Sequence, residues 1–151
     1  MNIFKSILNN LKVISTNANI EKNKQKFTPK QIIINDLHEQ LVLLSQNKTE
    51  FEFIGINSNG NDCIYFAKDE ENDIKFNIEF EAIEKTQLPY LKKIKDFAIK
   101  NNYSYREEVN DGVPYLCIKT KTNIEETIQL ARQIQNEIFG NNENTKYEIV
   151  P

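Results

Sequence analysis

The sequence predicts an α+β domain: a twisted antiparallel sheet of about five strands with helices packed mainly on one face, plus an N-terminal amphipathic helix. Three observations predict it. From Glu50 to Glu81, apolar and polar residues alternate with period two across three short runs. The clearest run sets Ile74, Phe76, Ile78, Phe80 and Ala82 against Lys75, Asn77, Glu79 and Glu81, one buried face and one wet face. The flanking segments carry apolar residues at helical spacing, and residues that favour tight turns sit between the runs.

Ile3, Phe4, Ile7, Leu8 and Leu11 recur with helical period, so residues 2–14 are expected to form an amphipathic helix. Ser15 to Phe27 is rich in Asn and Lys and reads as a flexible linker. Thr28-Pro29-Lys30-Gln31 has the pattern of a capped helix start, and the helix is expected to run to about Ser45 with Ile33, Leu37, Leu41 and Leu44 inward. Strands are expected at about 50–57, 62–68 and 73–84. The first two are joined through Asn57-Ser58-Asn59-Gly60-Asn61, where Asn and Gly tolerate positive φ.

A helix over about 88–101 buries Tyr90, Leu91, Ile94, Phe97 and Ala98. Strands from Tyr103 to Val109 and from Val113 to Lys121 flank the turn signal Asn110-Asp111-Gly112. The last helix opens on the capping pattern Thr122-Asn123-Ile124-Glu125 and stops at Gly140. The resulting domains are 1–27 for helix and linker, 28–140 for a single α+β domain, and 141–151 for a loose tail in which Tyr147 to Val150 has the makings of a further strand.

At 151 residues and 39% hydrophobic content the chain can bury one ordinary core. No apolar run approaches the roughly 20 residues that span a bilayer, so a cytoplasmic location is expected. Cys63 and Cys117 lie in expected strands without metal or redox spacing and read as reduced thiols. Charge is uneven. Residues 1–48 hold seven lysines and three acids, a balance of +4, whereas residues 49–86 hold three lysines and ten acids, a balance of -7. An acidic sheet repels phosphate, and only Arg106 and Arg132 offer a bidentate fork, so nucleic acid is not the expected partner. A basic protein surface is the better complement.

Motifs for chemistry are missing from the sequence. Its four glycines build no phosphate-cradling loop, and its one histidine, His38, stands beside Glu39 without the partners of a zinc site or a triad. Asp69-Glu70-Glu71-Asn72-Asp73 lacks the ligand spacing of a calcium loop and reads as a solvated turn. No catalytic, cofactor-binding or metal-binding residue is therefore assigned. The best catalytic constellation is carboxylate-only, Glu79 and Glu81 on one strand with Glu50 and Glu52 on another; glycosidase-type work by such a set needs a cleft and one desolvated acid.

From Thr28 to Gly140 the elements run α-β-β-β-α-β-β-α, an order that resembles the type III secretion chaperones and the related bacterial sensory-transduction-regulator domains. The resemblance rests on element order and lengths. It implies a twisted antiparallel sheet with helices on one face, a homodimer in many members, and binding of another protein without catalysis. The expected function is thus a non-enzymatic, chaperone-like or adaptor protein-binding domain, with Glu50, Glu52, Glu79 and Glu81 as the partner-binding face. The alternatives are an immunity protein that neutralises a basic toxin and, from a different class, a small carboxylate-dependent hydrolase.

Overall fold

A computed structural model describes residues 30–69, 72–120 and 123–150, without the side chains of residues 72–74. The expected helix over 2–14, its linker, Thr28-Pro29 and the side chain of Ile74 lie outside them, as do Glu70, Glu71 and Thr122.

Seven strands form one sheet: β1 (Gln31–Ile32), β2 (Phe53–Asn57), β3 (Ile64–Asp69), β4 (Asn72–Glu81), β5 (Tyr105–Asn110), β6 (Val113–Lys119) and β7 (Tyr147–Val150). Their spatial order is β1-β7-β2-β3-β4-β6-β5, with every neighbouring pair antiparallel. Among the described residues three α-helices complete the fold: α1 (Leu37–Ser45), α2 (Leu88–Lys100) and α3 (Ile124–Gln133). The end of α3 widens into a π-helical turn at Ile134–Ile138.

Alternation along the strands makes the core. Ile54, Ile56, Ile64, Phe66, Phe76, Ile78, Phe80, Leu116 and Ile118 share one sheet face and meet Leu37, Leu41, Leu44, Ile94, Phe97, Ala98, Leu130 and Ala131 of the helices. The period-two and period-3.6 patterns face each other, as expected. The β5–β6 turn places Asp111 at φ 52° and Gly112 at φ 80°, as a two-residue hairpin turn requires.

The two strands beyond the expected five lie at one sheet margin. Gln31 pairs with Glu148 and Ile32 with Tyr147, while Ile149 pairs with Ile56, so β7 sits between β1 and β2. The segment expected as a loose tail is therefore part of the sheet. It is tied down by Tyr147, 1% exposed, and by Asn141, whose side chain donates to Asp62 and Gln135 at 2.8 Å each.

The first core helix also starts later than its capping pattern suggests. Ile32-Ile33-Ile34 is a β-branched run with extended preference. Its first residue, Ile32, pairs with Tyr147 of β7, a single turn follows at Ile34–Asp36, and α1 begins at Leu37. At α3 the cap is Asn123, whose Oδ1 accepts from the Glu126 amide at 3.1 Å.

Candidate functional site

The side chains opposite the helix-packed face correct the expectation of a wet acidic surface on β4. Glu79 is 2% exposed and Glu81 5%. The register explains what surrounds them: Glu79 lies between Tyr65 on β3 and Cys117 on β6, and Glu81 opposite Tyr115. The period-two pattern assigns Glu79 to the correct face but says nothing of what shares that face. Here the neighbours are large and mostly apolar, with Tyr115 and Cys117 each 1% exposed.

Within this cluster the Tyr115 hydroxyl donates to Glu79 Oε1, while Glu79 Oε2 is buried without a hydrogen-bond partner among the described residues. Burial pushes the Glu79 carboxyl up to about 7, against the smaller opposing effect of the Tyr115 bond. Burial, reinforced by the Glu79 charge, raises the Tyr115 phenol far above its ordinary range and holds the Cys117 thiol at about 12. Chemically the arrangement can hold a proton on Glu79 near neutral pH and keep Tyr115 a donor. Cys117 stays a thiol and a poor nucleophile. Both cysteines are free.

Glu50 and Glu52, expected on the same face, are elsewhere. Both precede β2 and are exposed. Glu50 belongs to the lip of a groove of about 240 Å³ at the margin where β2, β7 and α1 meet, and Glu52 is not among the residues that line it. Its walls are mainly apolar, with Leu43 from α1, Phe51 and Phe53 at the entry to β2, and Ile149 and Val150 from β7; Lys30, Lys48 and Glu50 stand at its rim.

Local geometry fixes those walls. The Thr49 hydroxyl donates to the Phe51 carbonyl at 2.7 Å and shapes the loop that delivers the ring. Phe51 stacks on Phe53 with centroids 5.8 Å apart, and Phe53 meets the edge of Tyr65 at 6.0 Å. Lys30 is held beside β7 because the Ile149 amide donates to its carbonyl at 3.0 Å. The structure thus places Glu50 at the rim of an apolar groove, Glu52 exposed just before β2, and Glu79 and Glu81 in a buried cluster, and it does not bring the four carboxylates together. The groove is not legible in the sequence because its walls come from residues far apart in the chain. The local signal was Phe51 and Phe53 alternating with Glu50 and Glu52.

His38 is exposed, and its Nδ1 lies 2.8 Å from Glu125 Oε1. No group of His, Cys, Asp and Glu suited to a metal ion occurs among the described residues, nor does a helix long and apolar enough to cross a membrane. In comparisons with known proteins, no family model, no curated protein and no solved structure matches this chain.

Proposed function

We propose that this chain is a protein-binding domain of chaperone-like or adaptor type, which takes an apolar side chain of an extended partner segment into the groove between α1, β2 and β7. The observation that carries this reading is the groove itself. Its walls are aromatic and aliphatic, yet at about 240 Å³ it falls below the roughly 300–1,000 Å³ of typical small-molecule sites, a size suited to a single anchoring side chain. The rim carries both signs of charge, Glu50 suited to a basic residue next to that anchor and Lys30 and Lys48 to an acidic one.

The test is selection of binding peptides from a random dodecapeptide library against the full chain, followed by comparison with Leu43→Trp, a half-buried wall position whose enlargement fills the groove. Peptides sharing an apolar anchor and losing at least tenfold in affinity for Leu43→Trp, with circular dichroism unchanged, support the proposal. Peptides that bind the filled variant equally well contradict it. A second reading, a small carboxylate-dependent hydrolase, draws on one observation, the Glu79 carboxyl held near 7. It has less support because Glu79 is 2% exposed, and a general acid must come within hydrogen-bond reach of its substrate.

A further inference from the structure

At the opposite margin from the groove, β5 is the terminal strand of the sheet among the described residues. Its backbone pattern is fixed by the Lys119 amide donating to the Ser104 carbonyl at 2.9 Å. In an antiparallel ladder bonded pairs alternate, so Ser104, Arg106 and Glu108 face β6, and Tyr105, Glu107 and Val109 direct their amides and carbonyls outward. An open edge of this kind is a template for another strand.

Exposed apolar side chains stand on this strand and on α2 beside it. Among the described residues the exposed large hydrophobic side chains are Ile83, Leu88, Ile99, Tyr105 and Val109. Tyr105 and Val109 belong to β5. Leu88 and Ile99 lie on the stripe of α2 that includes Lys95, by helical spacing, and Lys95 Nζ reaches Glu107 at 3.0 Å and sits 6.0 Å from the Tyr105 ring. Ile83 follows β4, two strands in from this edge, and is not part of it. A shelf with apolar ends and a Lys–Glu pair at its middle therefore flanks the open strand, and Val109 is 70% exposed.

We infer that this edge pairs with the β5 edge of a second copy, antiparallel about a twofold axis through Glu107, joining two seven-stranded sheets into one. The sequence of β5 reads favourably against itself in that register. Tyr105 falls opposite Val109 of the second copy on the helix side, and Arg106 opposite Glu108 on the other, each pair occurring twice by symmetry. Glu107 meets itself at the axis, with a Lys95 beside each carboxylate. Sliding by two residues in either direction sets Arg106 against Arg106 or Glu108 against Glu108, and separates Tyr105 from Val109. Sliding by one residue turns outward amides toward inward ones and breaks the ladder. The inference is independent of the groove, which stays open at the far margin.

Sedimentation velocity on the full chain across a hundredfold concentration range tests it. A species of twice the 17.7 kDa chain mass is expected to accumulate with concentration. Arg106→Glu should weaken association at least tenfold by facing Glu108, and the double variant R106E/E108R should restore it. Val109→Lys, at an exposed position, should also weaken it. A chain monomeric throughout, a dimer indifferent to R106E and V109K, or a double variant as weak as the single one overturns the inference.

Discussion

Glu79 shows how a carboxyl assigned to the correct strand face acquires chemistry that its position alone does not announce. Its ordinary pKa of 4.5 is raised to about 7 by burial, so between those values the folded chain keeps a proton that the unfolded chain has released. Stability from this group is fully present below about 4.5 and is lost as pH rises through about 7, a difference on the order of 3 kcal/mol. Urea midpoints of the wild type should therefore fall across that window relative to Glu79→Gln, which stays neutral and can still accept from Tyr115. Parallel midpoints would contradict the raised value. Reversal of Glu79 to Lys should unfold the sheet rather than merely alter a surface, because it places an ammonium where burial disfavours charge. Gly55 is a second case. A Cβ there would lie 2.7 Å from the Tyr65 ring, and Gly55→Ala should cost roughly 1–3 kcal/mol by thermal denaturation. The turn glycines are visible in the sequence, whereas the need for this one depends on a ring from the neighbouring strand.

The elements most legible in the sequence are those whose period answers to one partner layer. Phe76, Ile78 and Phe80 are 0–2% exposed beneath Leu37, Leu41, Ile94 and Phe97. Phe76→Ala should lower stability by about 3–5 kcal/mol in chemical denaturation. What local pattern could not show is long-range pairing. Gln31–Ile32 is a strand only because Tyr147–Val150 lies beside it, more than a hundred residues later in the chain. Asp62 makes a similar tie. Its carboxylate accepts from the Ser58 and Asn59 amides at 2.8 and 3.1 Å, from the Ser58 hydroxyl, and from Asn141 at 2.8 Å, while its carbonyl accepts from Gln135 at 3.0 Å. The β2–β3 turn is thereby bound to the end of α3 and the approach to β7. Asp62→Ala strands several of these donors and should cost on the order of 3 kcal/mol by thermal melt, with β7 amides losing hydrogen-exchange protection first.

On the scale of the whole molecule, the uneven charge of the sequence divides into two unlike parts once the chain is folded. Glu79 and Glu81 are enclosed, and Glu50 and Glu52 are left as the exposed share of the candidate contact quartet. E50K/E52K should slow association with a basic-flanked peptide severalfold at low ionic strength and flatten its salt dependence, leaving thermal stability nearly unchanged. Stopped-flow rates equal to wild type at low salt would remove Glu50 and Glu52 from recognition. The groove and the open β5 edge lie at opposite margins of the sheet, so a twofold pairing through β5 presents two grooves to one ligand, and tethered peptides should then gain apparent affinity over single ones. The measurement that tests the central claim most directly is amide chemical-shift mapping of a ¹⁵N-labelled chain titrated with a library-selected peptide. Shifts concentrated at Leu43, Phe51, Phe53, Ile149 and Val150 are the predicted result; shifts that leave those amides in place and fall on β5 or around Glu79 would contradict the assignment of the groove.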